Sequence, residues 1–246
     1  MIFQDFTEPA GRFYNADCFD AMKELPDGCV DMILCDLPYG TTACKWDVVI
    51  PFEPLWEQYK RIIKDNGAVV LFGSEPFSSY LRMSNIKNYK YDWVWNKVAT
   101  SSGVGANKKP LCSHELISIF YSNQPIYNPQ KTNGIKWKRA GKMKKSSQVY
   151  GEIKNICKPI NDISEMKFPK MIIEISNANR LDRQHPTQKP VALFEYLIKT
   201  YTNELDLVLD NCAGSGTTAA ACKNLNRRWV CIEKNTEYFE KAILRL

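Results

Sequence analysis

Residues 206–233 read DLVLDNCAGSGTTAAACKNLNRRWVCIE, and the order of parts in this stretch decides the fold. DLVLDN and RWVCIE are short apolar runs that close on a polar or acidic residue, the pattern of strands buried on both faces. Between them Gly214 and Gly216 allow the backbone to turn tightly and approach a ligand, and Thr217 to Asn224 reads as the helix that follows. The free N–H groups at the start of such a helix suit a polar or anionic ligand. Glu233 ends the second strand 23 residues after Asp210, where nucleotide-binding folds place the acid that accepts ribose hydroxyls. Asp210, Cys212, Ala213, Gly214, Ser215, Gly216, Thr217 and Glu233 are therefore candidate ligand-binding residues.

Only 13 residues follow Glu233, enough for one more helix, so the remaining strands must come from upstream. CVDMILCD (29–36), AVVLFG (68–73), YDWVWNKV (91–98) and ELISIFYS (115–122) supply them. WEQYKRII (56–63), Pro76 to Met83 and PVALFEYLIKTYT (190–202) have helical spacing, the last with Leu193, Leu197 and Tyr201 on one face. Asp65-Asn66-Gly67 reads as a turn. This alternation predicts an α/β fold with a doubly wound, mostly parallel sheet. A dehydrogenase normally opens on its glycine loop; here the loop comes last, which disfavours a dinucleotide enzyme.

A second motif, Asp36-Leu37-Pro38-Tyr39-Gly40, stands at the C-terminal end of the strand 29–36, the edge where doubly wound sheets bind ligands. With it the chain resembles the S-adenosylmethionine-dependent amino-group DNA methyltransferases, the adenine-N6/cytosine-N4 family. Asp-Leu-Pro-Tyr stands in place of the usual Asp-Pro-Pro-Tyr. The order is the circularly permuted one of the beta group: catalytic motif, target-recognition region, cofactor loop. Asn15-Ala16-Asp17-Cys18, Trp95-Asn96-Lys97, His114-Glu115 and His185-Pro186-Thr187-Gln188-Lys189-Pro190 match further family elements in the same order, so the resemblance covers nearly the whole chain. It implies a Rossmann-like methyltransferase domain built from a catalytic half (1–124) and a cofactor half (181–246), with a target-recognition region (125–180) inserted. It also implies cofactor contacts for Asp17, Cys18, His185 and Lys189.

The chemistry agrees. An exocyclic base amine shares its lone pair with the ring and is a weak nucleophile. Asp36 and the Leu37 carbonyl, accepting its two N–H groups, would push the nitrogen toward a tetrahedral, reactive geometry. Pro38 restrains Leu37 to an extended backbone and so aims that carbonyl. Tyr39 offers a ring against a base taken out of the duplex. The expected reaction is site-specific methylation of the adenine N6 amine. The nearest alternative is the N4 amine of cytosine, where Ser usually opens the tetrapeptide; RNA or protein amide methylation is a more distant one. No Pro-Cys dipeptide offers the nucleophile of carbon-5 cytosine methylation.

The net charge of +6 is concentrated. Residues 125–180 hold 12 basic and 4 acidic residues, whereas 1–124 hold 12 and 15. Lys136, Lys138, Arg139, Lys142, Lys144 and Lys145 cluster beside Trp137, a composition equally open to a solvated face and to a nucleic-acid contact. With the resemblance, these seven are candidate DNA-binding residues and double-stranded DNA the expected partner. Nine cysteines without a CxxC pair and two histidines, His114 and His185, favour reduced thiols over metal or disulfides. No apolar run reaches 18 residues and the first residues lack a signal pattern, so a cytoplasmic monomer or homodimer, without membrane or metal, is expected.

Overall fold

The structure, a computed structural model, describes residues 11–42, 44, 46–98, 106–134, 146–147, 151–152, 166–177 and 188–246. They divide into two compact units, residues 129–169 and the remainder of the chain. The larger unit is built on a sheet of eight described strands. In chain order these are β1 (Arg12–Asn15), β2 (Val30–Cys35), β3 (Ile63–Gly73), β4 (Tyr89–Asn96) and β5 (His114–Phe120). In the smaller unit β6 (Thr132–Asn133) pairs with β9 (Met166–Lys167), and β7 (Ser146–Ser147) with β8 (Gly151–Glu152). The large sheet resumes with β10 (Ile172–Glu174), β11 (Leu207–Asp210) and β12 (Arg228–Glu233). The helices are α1 (Cys18–Lys23), α2 (Phe52–Ile62), α3 (Phe77–Ser84), α4 (Val191–Tyr201), α5 (Thr217–Asn224) and α6 (Thr236–Arg245).

The spatial order is β1-β12-β11-β2-β3-β5-β4-β10, and β5 alone among these strands runs against its neighbours. The apolar strand runs follow from burial on both faces. Met32, Leu34, Ala68, Val70 and Phe72 pack into one core with Leu193, Leu197 and Tyr201 of α4 and Ala219, Ala221 and Cys222 of α5. The alternate residues Ile33, Cys35, Val69 and Leu71 face a second core with Met22 of α1, Leu55, Tyr59 and Ile62 of α2, and Phe77 and Leu81 of α3. Period-two alternation thus sends every second side chain of one strand to a different helical layer.

Strands from opposite ends of the sequence lie side by side: β11 pairs in parallel with β2, Val208 against Met32 and Leu209 against Ile33. From this pair β2 leads to β3 on one side and β11 to β12 on the other. The sheet therefore has its topological switch point between β2 and β11, which places Asp36 and Asp210 at the same C-terminal edge.

Three details depart from the sequence reading. Asp65-Asn66-Gly67 is not a turn ending an element: β3 runs through it from Ile63, and a register shift between the Val30 and Met32 pairs absorbs the extra residues. The close approach explains the glycine, since a Cβ at Gly67 would lie 2.9 Å from the Asp31 carbonyl oxygen. Residues 12–15, too short for a hydropathy signal, form an edge strand in register with β12, Asn15 opposite Glu233. Ile172–Glu174, within the span expected to be inserted, adds in parallel to β4, so the compact second unit is narrower, 129–169. Lys136, Trp137, Lys138, Arg139, Lys142, Lys144, Lys145 and His185 lie outside the described residues.

Candidate active site

At the switch point a cavity of about 1110 Å³ opens beyond the strand ends. Its walls hold Asp17, Cys18, Asp36, Leu37, Pro38, Tyr39, Lys189, Asp210, Cys212, Ala213, Gly214, Ser215, Thr217 and Glu233. Residues from both ends of the chain thus share one pocket. Gly216 does not line it; its role is conformational, because with φ +75° it makes the left-handed turn that starts α5.

One side of the cavity is the loop after β2. Tyr39 donates a hydrogen bond to Asp36 Oδ1 (2.6 Å), and its ring stacks on Phe77 at 4.9 Å between centroids. Lys189 donates to Asp36 Oδ2. Burial pushes the Asp36 carboxyl upward, Lys189 opposes this, and Glu115 adds to it, leaving the group above its ordinary value. The Asp47 carboxylate, itself buried, fixes the following loop by accepting from the backbone N–H groups of Gly40 (2.8 Å), Thr41 (2.9 Å) and Thr42 (2.7 Å). Burial works against the Asp47 charge, but those bonds outweigh it and hold its pKa below the ordinary value.

The opposite side is built from β1, β11 and β12. Asp17 caps α1 by accepting from Phe19 N (2.9 Å) while its other oxygen meets Lys234 (3.1 Å), so it is a helix cap and a pocket residue at once. Glu233 accepts from Gly214 N (2.9 Å) and Asn235 N (2.7 Å), and burial raises its pKa. Asp210 accepts from Thr218 Oγ1 and Cys212 N; burial dominates and pushes it up to about 7. Beneath, Tyr59 donates to Asn211 Oδ1 (2.6 Å), and burial pushes the Cys18 thiol up to about 12. A neutral Cys18 is a packing surface, not a nucleophile.

Sequence reasoning leaves Lys97, Glu115 and Asp47 out of the site. Glu115 forms ion pairs with Lys97 (2.5 Å) and Lys189 (3.3 Å), and all three line the cavity. The Trp95-Asn96-Lys97 and His114-Glu115 matches are the available signal, but by themselves they mark only middle strands. For Asp47, seven residues from Gly40, no local pattern announces the loop closure.

The donor set fits a cationic sulfonium nucleoside. Carboxylates at Asp17 and Glu233 suit hydroxyls and positive charge, the Ser215 and Thr217 hydroxyls add donors, and Ala213 and Phe194 supply apolar walls. Among the described residues no cluster of His, Cys, Asp or Glu has metal-ligand geometry, and no helix is long and apolar enough to cross a membrane.

A family model described as DNA methylase matches residues 30–244. The chain is 29% identical to the type II methyltransferase M.HpaI of Haemophilus parainfluenzae, over 96% of this chain and 74% of that protein. It is also 29% identical to the DNA adenine methyltransferase YhdJ of Escherichia coli (strain K12), over 98% of this chain and 84% of that protein. Among solved structures, the M1.HpyAVI–SAM complex superposes with a TM-score of 0.65 at 27% identity, covering 95% of this chain and 98% of that one.

Proposed function

The chain belongs to the S-adenosylmethionine-dependent DNA methylases of the N6-adenine/N4-cytosine family, and on that premise we propose that it methylates the N6 amine of adenine in double-stranded DNA. The observation that carries the adenine reading is Asp36, an acid where the cytosine enzymes usually have Ser, set in the pocket with Tyr39 and Lys189. That one relative is described as a DNA adenine methyltransferase supports the same choice.

The site residues divide the work. Asp36 and the Leu37 carbonyl accept the two amine N–H bonds and draw the nitrogen out of conjugation with the ring. Tyr39, braced from behind by Phe77, presents a ring edge or face to the extruded base. Glu233 and Asp17 bind and orient the nucleoside of the donor, and the turn at Gly214 and Gly216 brings backbone N–H groups beside it. S-adenosylmethionine, when bound, supplies an already activated methyl group, so alignment of the nitrogen with it does much of the catalysis. The basic stretch Lys136 to Lys145 serves as the contact to DNA phosphates, and Trp137 to a base or sugar.

The test is nucleoside mass spectrometry of duplex DNA treated with the purified protein and labelled S-adenosylmethionine. Labelled N6-methyladenine is expected. Label in N4-methylcytosine would replace the adenine reading with the cytosine one.

A further inference from the structure

We infer that Lys189 is a positioning residue for methyl transfer: its ammonium, held between Asp36 and Glu115, keeps the Asp36 carboxyl ionised and aimed inside the pocket, with Glu115 as a counterweight. The inference deepens the methyl-transfer reading and rests on it. Four charges alternate in contact, Lys97, Glu115, Lys189 and Asp36, and they come from four parts of the chain: the residue after β4, the start of β5, the segment before α4, and the end of β2. Lys97 meets Glu115 at 2.5 Å, Lys189 meets Glu115 at 3.3 Å, and Lys189 donates directly to Asp36. Lys189 is only 7% exposed, and its Nζ sits 5.4 Å from the centre of the Phe72 ring.

Burying an ammonium is costly unless paired charge offsets it, and a buried ion pair is a poor source of net stability compared with apolar packing. The network therefore points to a task in the pocket. Among the described residues Lys189 is the cation within ion-pair reach of Asp36. The other groups facing Asp36 are the Tyr39 hydroxyl on its own loop, Glu115 on β5, the Cys35 thiol on β2 and Asp210 at the end of β11. Burial and the two neighbouring carboxylates favour a protonated Asp36; Lys189 and the Tyr39 O–H favour the carboxylate. A protonated Asp36 would set an O–H against the donors around it and lose acceptor strength toward the amine. Glu115 Oε2 is buried without a hydrogen bond and faces the Lys189 ammonium, while Oε1 meets Lys97. The single ammonium thus serves both carboxylates, and its hold on Asp36 is limited by its attraction to Glu115. The resemblance implies a cofactor contact for Lys189, whereas its Nζ is directed at the acid of the tetrapeptide.

The signs of the expected effects are opposite for the two partners. Asp36 must be ionised to work, so activity falls as pH falls through its pKa. Removing the cation in Lys189→Met should raise that pKa and move the acidic limb of the single-turnover rate to higher pH by about one unit or more. Glu115→Gln removes a like charge and should move the limb to lower pH. Lys189→Arg should restore the wild-type limb. A second readout needs neither DNA nor cofactor: the ¹³C shift of the Asp36 carboxyl, titrated in wild type, Lys189→Arg and Glu115→Gln, should place its midpoint lower in Glu115→Gln and unchanged in Lys189→Arg. If Lys189→Met fails to fold, the titration of Glu115→Gln alone decides. Coincident limbs for Lys189→Met and wild type, or an Asp36 midpoint unmoved or raised by Glu115→Gln, would overturn the inference. Failure of the underlying reading looks different: the wild type would methylate no base in DNA at any pH, while the carboxyl titration would still report on Lys189.

Discussion

Buried carboxylates set the character of the pocket, and Asp210 shows the consequence most plainly. Its folded pKa of about 7 stands above the unfolded value of 3.8, because burial outweighs the bonds from Thr218 and Cys212. Between those two values the folded state holds a proton that the unfolded state has released. Stability contributed by this group therefore falls as pH rises from about 4 to 7, and the penalty is complete above 7. Asp210→Asn removes the titration while keeping an acceptor. Relative to wild type it should gain on the order of a few kcal/mol between pH 5 and pH 8, read from urea unfolding at both values. A constant difference between the two proteins would show that Asp210 is ionised throughout. Asp36, at the same sheet edge, differs in having the Lys189 ammonium against its carboxyl.

At the scale of elements, the glycine loop and α5 carry the tightest geometric demand. Gly216 stands at φ +75°, and a Cβ there would meet Ala242 Cβ and Phe13 Cε2, each at 3.3 Å. Gly216→Ala should cost about 1–3 kcal/mol from the left-handed backbone and the crowding together, with a matching drop in urea midpoint at unchanged slope. Most elements are legible in the sequence for a physical reason: strands buried on both faces read as apolar runs, and α4 buries Leu193, Leu197 and Tyr201 at helical spacing. What escapes a sequence reading depends on partners far away along the chain. β1 and β10 are edge strands of four and three residues whose existence follows from β12 and β4. Asp65-Asn66-Gly67 reads locally as a turn, but Val30 and Met32 hold the segment in the ladder as an irregularity. The tetrapeptide and glycine loop are legible because backbone conformation at a strand end constrains residue type. The Lys97–Glu115–Lys189 network is not, because its members converge only after β4, β5 and the segment before α4 are assembled.

For the whole molecule, residues 125–180 hold 12 basic and 4 acidic residues, in contrast with the rest of the chain, and the proposal that they contact DNA phosphates is tested by their salt dependence. Replacing Lys142, Lys144 and Lys145 together by Gln should weaken binding to all duplexes alike. It should also flatten the dependence of log K on log salt by about 0.9 for each phosphate no longer neutralised. Equal slopes for wild type and variant would make the cluster a solvated face. On the proposed function, one pocket at the switch point separates two tasks, donor binding at the loop after β11 and amine activation at the loop after β2. Asp36→Ala tests it most directly, with calorimetric affinity for S-adenosylmethionine and single-turnover methyl transfer to DNA measured on the same preparation. Donor affinity is expected within about threefold of wild type and transfer reduced by roughly a hundredfold or more, as when an acceptor aligned with the reacting nitrogen is removed. Near-normal transfer by Asp36→Ala would contradict it.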